Sequence, residues 1–483
     1  MPLAMKRRGS VLDHDPETRA TAWRRVADLL EAHAAKLCED PAAPIVPARS
    51  NEAFAAEVLG LDLDTPRDPL TLIDEIARAL EEGIVHPDHP RYFGLFNPAP
   101  AALAVIADAL ASGFNPQLAT RGHAPWPVAI EDRLIAALGA RFGWDARAAR
   151  GAFTSGGGEA NTTALLCALT SAFPDVGERG VRSLDGEPRL YVSAEGHATV
   201  ERAARLAGLG ADAVRAIPAD AHQRMKTAAL RDAIAKDRAG GGLPFLVVAT
   251  AGTTSSGAID PIAEIASVAE RERCWLHVDA AWGGLAALVP ELRPALDGVA
   301  RADSITFDAH KVMSAPMGTG AFLTRRDGVL ERVFGARTGY MPRDGSGDPY
   351  GRSIMWSRRF LGLRVLLPLA AVGWEGYATS LRGQIALADR LRELLRARGW
   401  RIVNDTPLPV VCFVDASAAA GGGGRFLDAV ARGAIASAGG WLSVPRFASG
   451  ARALRACVNN HRTEVPDIDR LVDALDEARE ASR

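Results

Sequence analysis

Two positions in this sequence carry side chains that are expensive to bury and stand where chemistry could use them. Asp279 closes the short apolar run Trp275–Val278, and His310-Lys311 follow the run Ile305–Phe307. Each run is too brief for a helix and is flanked by small or turn-forming residues, so both read as buried strands of a parallel sheet. Ligands of open α/β sheets bind beyond the carboxyl ends of the strands, which is where this acid and this lysine would emerge. A lysine amine condenses with an aldehyde, and a carboxylate keeps a pyridine nitrogen protonated so that the ring accepts electrons. One small molecule offers both partners, pyridoxal 5'-phosphate.

Other candidates gather around that pair. In GAFTSGGGEAN, a strand at 151–154 runs into three glycines and a helix with Glu159 in its first turn. Glycines permit close backbone approach, and a helix N-terminus favours an anion. Such a turn is also an ordinary tight connection, and the dinucleotide and P-loop patterns are both missing. His197 follows a strand at 190–193, and on its own reads as structural more readily than functional. The strand 243–249 ends in TAGTTSSGAIDP, whose hydroxyls would reach the same sheet edge. In HPDHP, His86 and His89 flank Asp88; with prolines around them and no second ligand cluster, this reads as a rigid turn, and no metal is expected.

The elements that must position these groups follow from periodicity. Strand and helix alternate from about 150 to 325, the pattern of a doubly wound α/β unit. Ahead of it, 17–38 and 72–83 form amphipathic helices with too little apolar surface to stand alone. Helices are expected at 101–112, 128–142 and 262–272, and one long helix at 359–398 bridges to a C-terminal part. There, strands at 410–414 and 454–458 and helices at 425–438 and 466–480 make a small α+β unit. The polar, glycine-rich segment 335–353 is long enough to be a functional loop.

Composition narrows the classes. The chain has 483 residues, 48% apolar and 24% charged, with a net charge of −2. Nothing there favours nucleic acid or a membrane as a partner. Five scattered cysteines with no CxxC pair argue against a disulfide framework or a zinc site and for the cytoplasm. No apolar stretch reads as a secretory signal or a membrane span.

Several motifs agree in order over roughly 85–475 with a known pattern. HPRYF, FTSGGGEAN, SAEGHATVERAA, ATAGTTSSGAIDP, WLHVDAA, ADSITFDAHK and ALRACVNNHRT resemble the corresponding segments of the group II pyridoxal-phosphate-dependent amino-acid decarboxylases. The resemblance implies the aspartate-aminotransferase-like fold (fold type I), α/β with a mostly parallel central sheet. It divides the chain into a helical N-terminal arm at 1–90, a large cofactor-binding domain at 91–365 and a small α+β domain at 366–483. It implies that Lys311 is the Schiff-base lysine and that Asp279 pairs with the pyridine nitrogen. His197 would stack on the ring with Ala281 packed beneath it, and Thr254 would meet the phenolic oxygen. Gly157, Gly158 and His310 would hold the phosphate. Tyr340, at the family's spacing from Lys311, would protonate the carbanion left by carbon dioxide; the bland reading is a loop anchor. Two departures stand out: Gly158 replaces a common Ser or Thr, and Ala309 replaces a common proline.

The implied reaction removes the α-carboxylate of an L-amino acid as carbon dioxide and releases the amine. Phe93, Phe96 and Trp126 (with Leu95) would line a pocket for an aromatic or bulky aliphatic side chain, whereas Arg91 and Arg121 would suit an acidic one. Arg455 is a candidate for a carboxylate. The resemblance also implies a homodimer with active sites between subunits. A decarboxylating oxidative deaminase, a carbon–carbon bond-forming enzyme and, less favoured, a non-catalytic cofactor-binding protein use the same residues.

Overall fold

A computed structural model of the chain describes residues 12–40, 42–47, 49–336, 347–417 and 423–483. Three helices come first, α1 (Pro16–Glu39), α2 (Asn51–Leu59) and α3 (Pro69–Gly83). Both α1 and α3 open on an Asp-Pro pair: Asp15 and Asp68 accept first-turn amides, and the proline takes the position that needs no donor. Two further helices follow, α4 (Ala102–Phe114) and α5 (Pro125–Arg141).

The central sheet has seven strands: β1 (Arg150–Thr154), β2 (Glu187–Ser193), β3 (Val214–Ile217), β4 (Gly242–Thr250), β5 (Trp275–Asp279), β6 (Ser304–Asp308) and β7 (Gly320–Thr324). Their order is β1-β7-β6-β5-β4-β2-β3, and only β7 runs against its neighbours. Both faces are covered, as a mostly parallel sheet requires. Along β4, Val247 and Ala249 enter one apolar core while Leu246 and Val248 enter the other.

Period two does something different in β5 and β6. Leu276, Val278, Ile305 and Phe307 face the larger core. The other face carries His277 and Asp279 beside Ser304, Thr306 and Asp308, all buried. That polar row lies under helix α6 (Gly157–Ala172), whose Asn161 bonds to three members of it. Gly320 opens β7 opposite both Thr154 and Asp308. A Cβ there would stand 2.6 Å from the Gly156 Cα and 2.7 Å from the Asp308 carboxylate, so only glycine brings β7 against this turn.

A second, antiparallel sheet holds β8 (Trp400–Ile402), β9 (Val410–Asp415) and β10 (Leu454–Cys457), with β9 in the middle. Its core joins Leu391, Leu395, Phe413 and Leu471. The long helix expected at 359–398 appears as Leu363–Ala397, but Gly373 has φ 67° and ψ 177°, so it is two helices meeting at a kink. Among the described residues, no helix is long and apolar enough to cross a membrane.

Candidate active site

The carboxyl ends of β1, β4, β5 and β6 open on one pocket of about 200 Å³. Its lining brings together Gly157, Gly158, His197, Thr254, Asp279, Ala281, His310 and Lys311, as expected from the sequence, with Phe96 on one wall. The turn after β1 is shaped for close approach. The Ser155 amide donates to Glu159 (2.8 Å), folding the chain back into α6, which starts with no side chain capping it. Its first amides therefore face the pocket without a side-chain partner, ready for an anion. A Cβ on Gly157 would come within 3.1 Å of Asp308 Oδ2 and 3.5 Å of Ala281 Cβ, filling the cradle.

Asp279 ends β5 with 6% exposure and is held from α6, where Asn161 Nδ2 donates to Asp279 Oδ2 (2.9 Å). The same amide nitrogen donates to Thr199 Oγ1 (2.9 Å). Both donors are thereby used, which leaves Asn161 Oδ1 to accept from Thr306 (2.7 Å) and from His277 Nε2 (3.1 Å). His277 in turn accepts at Nδ1 from Ser304 (2.8 Å), whose oxygen accepts from the Trp275 indole N–H (2.8 Å). Burial pushes His277 down to about 4, against the pull of the nearby Asp279 charge, so it stays neutral at pH 7.

The chain of bonds continues to His197. The Thr199 amide points at His197 Nδ1 (3.2 Å) and its hydroxyl lies 2.9 Å from the same nitrogen. Nδ1 therefore accepts, and the ring proton sits on Nε2. Asn161 thus fixes the acid and, through Thr199, the imidazole.

Lys311 lies just beyond β6 and its Nζ is 2.7 Å from the buried Asp308 carboxylate. Asp308 carried no expectation from the sequence, nor did Asn161, Thr199 or Trp282. His310 donates from Nδ1 to the Thr319 carbonyl (3.0 Å), leaving Nε2 as an acceptor beside Asp308 (3.7 Å). Burial holds His310 below the usual imidazole range, helped by the Lys311 charge and opposed by Asp308.

Three expected positions fall elsewhere. Phe93 is fully buried in the core of the second sheet, and its backbone is bonded to Trp441 and Cys457, so it packs rather than lines the pocket. Trp126 is 57% exposed at the start of α5 and meets Phe360 edge-on. Arg455 is buried and donates to the carbonyls of Thr254 and Gly94 (2.7 Å), with its guanidinium 5.2 Å from the Phe96 ring centre. It braces the pocket wall through both terminal nitrogens, while its Nε is buried without a hydrogen-bond partner. Tyr340 lies outside the described residues. Phe96 does line the pocket, tilted against Trp282 at 4.3 Å between centroids.

These residues fit pyridoxal 5'-phosphate. The uncapped helix start and the cradle at Gly157 suit a phosphate, while Thr250 Oγ1 and Asp308 Oδ1 are buried at the pocket with no hydrogen-bond partner. A family model, the pyridoxal-dependent decarboxylase conserved domain, matches residues 57–415. Human cysteine sulfinic acid decarboxylase is 34% identical over 368 residues, 74% of this chain and 73% of that protein. The L-2,4-diaminobutyrate decarboxylase of Rhizobium meliloti is 32% identical over 412 residues, 83% of this chain and 80% of that protein. The aromatic-L-amino-acid decarboxylase of Bacillus atrophaeus is 33% identical over 354 residues, 72% of each. Among solved structures, mouse CSAD superposes with a TM-score of 0.89 at 27% identity, covering 96% of this chain and 99% of its own.

Proposed function

Because the chain belongs to the pyridoxal-dependent decarboxylase family, a family of enzymes that use pyridoxal 5'-phosphate to convert L-amino acids to amines and carbon dioxide, we propose that its substrate is an aromatic or bulky apolar L-amino acid and that the pocket residues take the following roles. The substrate class rests on one observation. The pocket that holds Lys311 is also lined by the aromatic pair Phe96–Trp282, while Arg121 and Arg455, which could have met an acidic side chain, are engaged with Asp132 and with backbone carbonyls.

When bound, the cofactor supplies an electron sink for the pair left on the α-carbon as carbon dioxide departs. Lys311 would hold the cofactor aldehyde, and Asp308, 2.7 Å from its Nζ, places that amine in the pocket. Asp279 would keep a proton on the pyridine nitrogen, with Asn161 fixing the carboxylate's orientation. His197, held through Nδ1 by Thr199, would face the ring and present its Nε2 proton, with Ala281 packing on the ring and Thr254 meeting its oxygen. Gly157, Gly158 and His310 would hold the phosphate. Tyr340 would return the proton to the α-carbon.

We assign the working protein as a cytoplasmic homodimer, with the arm at 1–90, the large domain at 91–365 and the small domain at 366–483. The five cysteines are all free, which suits a reducing compartment. The apolar core drawn mostly from 388–478 supports a small domain there, although Leu408, Val410 and Cys457 join the larger core and Phe93 the smaller one. The deciding experiment is product analysis on the holoenzyme with the twenty common amino acids, scoring carbon dioxide and amine together. Equimolar carbon dioxide and amine from aromatic or branched apolar substrates is expected. Lys311→Ala should abolish turnover and the visible absorbance of the lysine-bound cofactor, and Tyr340→Phe should divert product toward aldehyde or ammonia. Exclusive turnover of aspartate or glutamate would overturn the substrate class.

A further inference from the structure

The HPDHP turn, which the sequence offers as a rigid connection, gains a third imidazole in the folded chain. His33 on α1 comes from the other side, its ring 5.4 Å from that of His86 between centroids and its Nε2 2.9 Å from Asp88 Oδ2. His89 is turned away, accepting at Nδ1 from the Arg91 amide. One donor atom each from His33, His86 and Asp88 lies within 4.8 Å of the others.

His86 carries the argument. It is 1% exposed, and its Nε2 is 2.8 Å from the Glu81 carbonyl, which can only accept, so the ring proton sits there. Its Nδ1 is left as a bare lone pair, buried, with no hydrogen-bond partner, and 3.9 Å from Asp88 Oδ1. A buried acceptor with nothing to accept from is unfavourable. A histidine whose far nitrogen donates to a backbone carbonyl while the near one points at a carboxylate and a second imidazole has the arrangement of a metal ligand.

We propose that His33 Nε2, His86 Nδ1 and an Asp88 carboxylate oxygen bind a divalent transition ion of the zinc class, with a solvent-facing fourth position. A tetrahedral ion with ligands at about 2.0–2.1 Å sets neighbouring ligand atoms about 3.3 Å apart. His33 Nε2 stands 2.9 Å from one Asp88 oxygen and His86 Nδ1 3.9 Å from the other, with the three donor atoms within 4.8 Å of one another, so the carboxylate turns and the imidazoles draw in to close the site. His33 and Asp88 keep 26% and 16% of their side-chain surface, which leaves room for a water. On binding, His33 gives up its hydrogen bond to Asp88, its ring proton is carried on Nδ1, and the ion takes the Nε2 lone pair, so that the ring stays neutral. The ion would fasten α1, otherwise tied to α3 by the Arg25–Asp74 and Lys36–Glu81 ion pairs, to the turn that follows α3.

Arg462 makes the proposal sharper. Its Nη1 is 3.9 Å from Asp88 Oδ2, so a guanidinium competes with the ion for the same carboxylate. The test is calorimetric titration of chelator-treated holoenzyme with Zn²⁺, repeated with Co²⁺ while following its visible absorption. One ion per chain is expected in the wild type. His33→Asn and Asp88→Asn should weaken binding by more than the roughly 10–100-fold that loss of an outer partner costs. Arg462→Gln should tighten it several-fold, a gain that misfolding cannot produce. Failure of the wild type to bind at submillimolar ion, or equal binding by wild type and all three variants, would overturn the site. Cofactor content, read by absorbance in each variant, separates this outcome from any failure at the decarboxylase pocket.

Discussion

At the scale of single residues, Asn161 does the most with the least signal. An asparagine in the second turn of a helix has no spacing signature, and its partners, Asp279, His277, Thr306 and Thr199, are distant in the chain. Lys311 and Asp279 were legible because each ends an apolar run with a group that is expensive to bury; Asn161 was not, because only the fold brings α6 over β5 and β6. The geometry makes it a positioning residue. Asn161→Ala removes a donor to a carboxylate, an interaction typically contributing about 1.5–3 kcal/mol, so kcat at saturating cofactor should fall roughly 10–100-fold. Asn161→Asp has the same shape but sets a second carboxylate against Asp279, and should fall further. The visible spectrum of the bound cofactor should change in both, because the acid at its pyridine nitrogen has lost its fixed orientation. Full kcat and an unchanged spectrum in the isosteric variant would remove Asn161 from this role. Arg455 teaches the converse: an arginine near a site draws the eye, yet its bonds to Thr254 and Gly94 show it spent on backbone.

At the scale of elements, the alternation in WLHVD and SITFD was present in the sequence as a period of two, with His277 and Asp279, and Ser304, Thr306 and Asp308, on one side. Reading these segments as plain apolar runs gave the strands but missed the polar row that α6 completes. The short strands β3 and β8, four and three residues long, were missed because so few residues carry no periodicity. The kink at Gly373 left its mark only as a glycine within a helical pattern. At the start of α6, Gly158 stands where the family resemblance read in the sequence leads one to expect a hydroxyl side chain. Space there is open: a Cβ at Gly158 would meet only Thr199 Cγ2, at an ordinary 3.5 Å. Gly158→Ser should therefore fold without strain, gain about 0.5 kcal/mol of helix propensity and add one donor toward the phosphate. The dissociation constant for pyridoxal 5'-phosphate should fall by about 2–10-fold, measured by equilibrium dialysis of the apoenzyme. Unchanged or weaker binding would mean that the backbone amides of α6 already satisfy the phosphate and the glycine is no deficit.

At the scale of the whole molecule, the arm and α4 leave a groove lined entirely by apolar side chains, among them Trp23 and Leu30 of α1 with Ile106, Leu110 and Phe114 of α4. Those five are 61%, 50%, 51%, 45% and 84% exposed. The sequence pattern assigned α1 an apolar stripe with too little to cover it, and the folded chain leaves that stripe open. Contiguous exposed apolar surface of this kind marks an interaction site. A second copy of the chain is the occupant that the proposed homodimer requires, because a twofold interface presents the same patch from both sides. Phe114 is the sharpest probe, since its ring touches solvent over most of its surface and its removal leaves no cavity in the monomer. Burying such a ring contributes about 1.5–3 kcal/mol, and a symmetric interface contains it twice. Phe114→Asp should thus raise the dimer dissociation constant by at least 10–100-fold. Sedimentation equilibrium at micromolar chain would read this as a shift toward monomer, with thermal unfolding of the monomer unchanged. A wild type that is monomeric under those conditions, or a variant as dimeric as the wild type, would place the partner elsewhere and leave the α1–α4 groove without its assigned occupant.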